Sequence, residues 1–195
     1  MSYIFVGLGN PGDEYKNTRH NTGRMMLEWY ARAYEAEWKF DKKINAQVAK
    51  IKVGKSPVTL VLPDTFMNNS GKTVKSLVTS VTGAEKLMVI YDDLDMGFGA
   101  HKISFNKSSG GHRGLESIIK SLKTEKFARI RIGISPTTPS GKTKKPVGED
   151  KVMKFILGEF KPEEITALKK ISKKVTLALD TFVTSGIEKA RNEFN

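Results

Sequence analysis

Tyr3-Ile4-Phe5-Val6-Gly7-Leu8-Gly9-Asn10-Pro11-Gly12 is an apolar run that closes in a glycine-rich turn. Its first half has the branched and aromatic side chains of a buried strand. Its second half matches G-x-G-x-x-G, the spacing of dinucleotide-binding turns. That fingerprint needs a helix to begin inside the glycines, with free N–H groups aimed at pyrophosphate. Pro11 removes one such donor, and helical periodicity does not begin until about Thr22. The stretch therefore reads as a strand followed by a polar loop, and no nucleotide cofactor is expected.

Working outward, the spacing of Met25, Met26, Trp29, Tyr30 and Ala33 predicts a helix from about Thr22 to Tyr34. Trp38 to Val53 alternates loosely, as one or two strands do. Val58 to Leu62 is β-branched and apolar, with Pro63 as its stop. Ser70 to Val81 reads as a helix with Val74, Leu77, Val78 and Val81 on one face. Leu87 to Tyr91 and Ala100 to Phe105 read as strands, and Gly110-Gly111 opens a helix carrying Leu115, Ile118, Ile119 and Leu122. Phe127 to Ile134 sets Arg129 and Arg131 against Ile130 and Ile132, which predicts a strand with one basic face. Ser135 to Asp150 is rich in Pro, Gly, Thr and Lys and reads as a loop. From Pro162, the positions Ile165, Leu168, Ile171, Val175, Leu179, Phe182 and Val183 mark a long amphipathic helix. Strands alternating with helices predict an α/β fold: a single domain over residues 1–195, with a twisted, mixed, mostly parallel sheet flanked by helices on both faces.

Composition narrows the chemistry. Across 195 residues there is no cysteine, so disulfides and thiol chemistry are excluded. The start of the chain lacks the basic and long apolar regions of a secretory signal. No apolar run approaches the roughly 20 residues that span a bilayer. A soluble, cytoplasmic protein without membrane contact is expected. Monomer is the default, with no obligate protein partner, because no apolar oligomer seam remains. A net charge of +12 favours polyanionic partners, nucleic acid first among them. Ser-Gly-Lys-Thr occurs at Ser70 to Thr73 and at Ser140 to Thr143, but Phe66 and Pro136 stand where a P-loop needs its earlier glycine.

Asn10, Asn68 and Asp92 each follow a strand-like run, and His20 lies in the loop after the first strand. Ligands of open α/β sheets bind outside the carboxyl ends of the strands, so these four side chains are expected to share one crevice. A histidine, a carboxylate to orient it and two amides suit hydrolysis. Of the other histidines, His101 falls in a strand and reads as structural or exposed, while His112 either caps a helix or faces the crevice. Asp92-Asp93-Leu94-Asp95 is acidic, but its surroundings are basic and no second ligand set appears, so no metal is expected.

At these residues the chain resembles bacterial-type peptidyl-tRNA hydrolases. The carrying segments are Val6 to Gly12, Tyr15, Thr18-Arg19-His20-Asn21-Thr22-Gly23, Pro63 to Gly71, Asp92 to Asp95, Gly110 to Leu115, Arg129 to Ile134 and Val152 to Phe160. They run from end to end at matching spacing. The resemblance implies hydrolysis of the ester joining a peptide to the 3′ ribose of tRNA, which recycles tRNA from abandoned translation. It makes peptidyl-tRNA the partner, His20 the base that activates water, and Asp92 its orienter. Asn10 and Asn68 would hold the substrate's carbonyl and peptide amide. Tyr15 and Phe66 would border the tRNA 3′ end, Met67 would line the peptide channel, and Lys102 and Arg131 would grip phosphate.

Two positions depart from that pattern. Arg113 stands where the family usually has asparagine, and arginine can only donate. Ser104 stands where a basic partner of Lys102 is often found, with Lys107 as a substitute. A non-catalytic RNA-binding relative is the alternative reading, and the presence of His20, Asp92, Asn10 and Asn68 favours the enzyme.

Overall fold

The computed structural model describes residues 2–195. Seven strands form one sheet: β1 (Tyr3–Gly7), β2 (Lys39–Asp41), β3 (Ala46–Val53), β4 (Ser56–Pro63), β5 (Leu87–Gly97), β6 (His101–Phe105) and β7 (Ala128–Ser135). Their order across the sheet is β2-β3-β4-β1-β5-β7-β6. β4, β1, β5 and β7 pair in parallel at the centre. β3 and β6 run against them, and β2 pairs antiparallel with β3. The sheet is thus mixed and mostly parallel, as the sequence predicts.

Seven helices are described: α1 (Thr22–Ala33), α2 (Ser70–Leu77), α3 (Val81–Ala84), α4 (Arg113–Leu122), α5 (Glu149–Ile156), α6 (Pro162–Ser185) and α7 (Ile187–Phe194). The pleat of the strands sorts their side chains into two cores. Phe5, Leu60, Met88, Ile90, Ile130 and Ile132 face one side and pack with Met26, Leu27 and Tyr30 of α1 and Leu168, Val175 and Leu179 of α6. Val6, Val61, Leu87 and Val89 face the other and pack with Val74 of α2 and Leu115 and Ile118 of α4. Helices cover both faces because both faces of the central strands are apolar. No described helix is long and apolar enough to cross a membrane.

Three elements differ from the expectation. The helix expected over Ser70 to Val81 is two: Val78 turns to extended backbone, and Ser80 restarts the chain by accepting the Gly83 N–H at 3.0 Å. A hydroxyl that can cap competes with helix continuation. The strand expected to stop at Tyr91 runs on to Gly97, because β7 supplies partners at Asp92↔Ile132 and Asp93↔Gly133 and, past a bulge, at Gly97↔Ser135. Helix α5 begins inside the stretch read as a loop, with Glu149 and Asp150 in its first turn, where carboxylates suit the helix dipole. The long C-terminal helix falls where its apolar positions put it, from Pro162 through Val183, and Gly186, with φ of 86°, breaks the chain before α7.

The glycines of the opening stretch serve packing. A Cβ on Gly23 would lie 2.0 Å from the Ile90 carbonyl oxygen, and one on Gly7 would lie 2.6 Å from the Gly23 carbonyl oxygen. Helix α1 therefore seats its first turn directly on β1 and β5. That close seat determines where the residues just before α1 are placed.

Candidate active site

The carboxyl ends of β1, β4, β5 and β7 surround a cleft of about 830 Å³. Asn10, Tyr15, His20, Phe66, Met67, Asn68, Asp92, Lys102, Arg113 and Arg131 all line it, so the sheet brings every sequence-predicted position to one place.

His20 lies in a single 3-10 turn, Arg19–Asn21, immediately before α1. It is 8 % exposed. Its Nδ1 sits 3.0 and 3.1 Å from the two oxygens of Asp92. A carboxylate only accepts, so Nδ1 carries the hydrogen, and Nε2 of the neutral ring keeps its lone pair for the cleft. Asp92 is 2 % exposed and lies within β5. Burial would raise its carboxyl, but the adjacent His20 and His112 and their hydrogen bonds outweigh that and hold it below the usual carboxylate range.

His112 is the residue that sequence reading left open, and it does both things considered for it. As the N-cap of α4, its Nδ1 accepts the Leu115 N–H at 3.3 Å. Its Nε2 therefore holds the hydrogen and donates to Asp92 Oδ1 at 3.1 Å. Two imidazoles, with ring centroids 5.0 Å apart, share one carboxylate. The Tyr91 and His112 rings meet edge to face, with centroids 4.9 Å apart. The atoms of His20, Asp92 and His112 are close enough to surround a cation. Ligation there would displace both shared protons and break the Leu115 cap, so the donor set is already spent on hydrogen bonds.

Asn10 follows β1 and is fixed from two directions. Its Oδ1 accepts the Met67 N–H at 2.8 Å, which leaves the Nδ2 group to donate into the cleft. Its main chain is held by Asn21, a residue whose part was invisible in sequence because both partners are backbone groups. Met67 is buried and opens the turn Met67–Asn69, while Asn68 and Phe66 are exposed at the rim.

Cations occupy the other end of the cleft. Lys102 and Arg131 are cross-strand partners on β6 and β7. Arg131 Nε donates to Asp93 Oδ2 at 2.6 Å. Lys107 and Ser104 also line the cleft. The expected basic face of β7 holds only for Arg131, because Arg129 is fully buried. Arg129 stacks over Phe127 and donates from Nη1 to the Ser108 carbonyl at 2.7 Å, beneath the loop that leads to His112. Burial lowers its pKa, and among the described residues its Nε and Nη2 make no hydrogen bond. Alternation along a strand shows which residues share a face; it does not show which end of that face a loop will cover.

The family model for peptidyl-tRNA hydrolase matches residues 4–195. The chain belongs to the peptidyl-tRNA hydrolase family. It is 41 % identical over 177 residues to peptidyl-tRNA hydrolase of Aquifex aeolicus, covering 90 % of this chain and 87 % of the relative. It is 40 % identical to that of Herpetosiphon aurantiacus, covering 99 % of this chain and 90 % of the relative. The crystal structure of peptidyl-tRNA hydrolase from Acinetobacter baumannii superposes with a TM-score of 0.88 at 29 % identity, covering all of this chain and 94 % of the other. The family match thus runs over residues 4–195, cleft included.

Proposed function

We propose that this protein hydrolyses the ester between a peptide and the 3′ ribose of tRNA, releasing free peptide and tRNA. The observation that carries the reading is the His20–Asp92 pair, which leaves one imidazole nitrogen able to take a proton beside the donating amide of Asn10. Water adds to the ester carbonyl as His20 Nε2 removes its proton. Asp92 stabilises the imidazolium that forms. Negative charge gathers on the former carbonyl oxygen, and amide donors from Asn10 and Asn68 would stabilise it. One well-placed donor of this kind contributes about 3–4 kcal/mol. The bond to the ribose oxygen then breaks, and the imidazolium returns its proton to that oxygen. No covalent intermediate is required, since a sugar hydroxyl is an adequate leaving group for positioned water.

The rest of the cleft fits a tRNA acceptor end. Phe66 and Tyr15 offer ring faces for stacking, Met67 lines the peptide side, and Lys102 and Arg131 suit phosphate. In this reading the protein works in the cytoplasm as a single chain, needing no cofactor, metal or protein partner. The test is release of N-blocked amino acid from charged tRNA, with free aminoacyl-tRNA as the control. Rapid release of the blocked residue, with slow release from the free aminoacyl form, is expected. No release from either, while tRNA still binds, would replace the enzyme reading with the RNA-binding one.

A further inference from the structure

Two ion pairs cross the mouth of the cleft. Arg113, the first residue of α4, pairs through Nη2 with Glu149 Oε1, the first residue of α5. Lys145 Nζ meets Asp95 Oδ1 at 2.5 Å. All four residues line the cleft, and Arg113 directly follows His112. Among the described residues Lys102 and Lys107, on the same cleft, have no such partner. The cleft's cations therefore fall into two sets: those open to an incoming anion and those already holding a carboxylate.

We infer that Glu149 is a built-in stand-in for a tRNA backbone phosphate on Arg113, displaced when the acceptor end enters. The inference rests on the tRNA reading above and adds to it a competitor that sets affinity. Three features support it. The pair is exposed, with side-chain accessibilities of 55 % and 75 %, so it is weak and exchanges readily. The arginine fork takes carboxylate and phosphate oxygens in the same planar, two-pronged manner, which the family's usual asparagine cannot do. The position is also set by the helix starts: α4 and α5 both begin at the cleft, so their first side chains meet across its mouth. Glu149 also suits the dipole of its own helix, which by itself would account for a carboxylate there. The double variant separates that reading from competition.

The experiment is binding of deacylated tRNA, measured across a range of KCl concentrations, for wild type, E149Q, R113Q and the double variant. E149Q should bind about two- to fivefold more tightly at low salt, the range that an exposed ion pair supports. R113Q should bind more weakly, with the slope of log affinity against log salt shallower by about one phosphate contact. In the R113Q background, E149Q should add no further tightening, because Glu149 acts through Arg113. Equal tightening by E149Q in both backgrounds, or an unchanged salt slope in R113Q, overturns the inference. Binding is read apart from turnover. Hydrolysis without these shifts removes only the competitor, and these shifts without hydrolysis remove only the enzyme reading.

Discussion

Asn21 holds the main chain of Asn10 on both sides. Its Oδ1 accepts the Asn10 N–H at 2.8 Å, and its Nδ2 donates to the Asn10 carbonyl at 2.9 Å. Asn21 is buried, so no water replaces it readily. Asn21→Leu should strand two main-chain groups, at roughly 1–3 kcal/mol each, seen as a lower denaturant midpoint. Asn10 should lose its aim as well, raising KM for N-blocked aminoacyl-tRNA. Asn21→Asp, which retains the acceptor but not the donor, should fall between. A Leu variant with wild-type KM would show that Asn10 is placed without this clamp.

His20→Ala should lower turnover about 10²–10⁴-fold, the range of a positioned general base, while tRNA affinity stays close to wild type. Asp92→Asn should also slow turnover strongly, since the equivalent change in a serine protease triad costs about 10⁴. Single-turnover chemistry separates these effects from binding. Normal chemistry with lost binding in His20→Ala would remove the base assignment.

The pH dependence of stability has a definite sign. The Asp92 carboxyl is held below its ordinary value in the folded chain. Its contribution is therefore fully present above the unfolded carboxylate pKa, near 4, and is lost as pH falls through the lower folded value. The gap in denaturant midpoint between wild type and Asp92→Asn should be constant above about pH 5 and narrow below about pH 4. A gap that is flat down to pH 3 would contradict the depressed carboxyl.

Gly23→Ala should destabilise through space and not backbone angle. The added carbon would meet the Ile90 carbonyl oxygen at 2.0 Å. Lifting α1 from β5 is an overpacking change, typically about 1–3 kcal/mol or more, and it should also lower kcat by moving His20. Gly110→Ala is the contrasting control. It has φ 61° with nothing near its Cβ, so only backbone strain of roughly 1–2 kcal/mol is expected. Thermal or denaturant unfolding of the two variants, with kcat for each, checks the ranking.

Lys102→Ala and Arg131→Ala should each flatten the salt dependence of tRNA binding by about one contact. Arg131→Ala should weaken binding more than Lys102→Ala, because it also leaves the Asp93 carboxylate, now held at 2.6 Å, unpaired beside the incoming phosphate. Among the described residues Lys102 holds no carboxylate. Equal slopes in wild type and both variants would place the tRNA on another surface.

Elements with strong periodicity are the ones that sequence reads well here. Strand β1 and helices α1, α4 and α6 all fall where apolar spacing puts them. The misreadings share a cause, which is that the deciding interaction is distant or competes locally. β5 extends through Asp92 because β7, some 40 positions later, supplies its partners. The α2–α3 break turns on one hydroxyl cap at Ser80. Arg129 looks like a surface cation until the Ser108 loop is laid over it. The part played by His112 depends on Leu115 choosing its tautomer and Asp92 lying opposite, and neither relation is visible in spacing.

By itself, the order of residues determined the alternation of strand and helix, the polar residues at the strand ends, and the basic balance suited to a nucleic acid. Those properties follow from local chain geometry and composition. Tertiary structure alone decided that His20 and His112 share the carboxylate of Asp92, that Asn21 grips Asn10, and that Arg113 meets Glu149. Each joins segments that are brought together only when both faces of the central strands are buried. That burial, driven by apolar area and not by the polar groups themselves, sets the distances on which the chemistry rests.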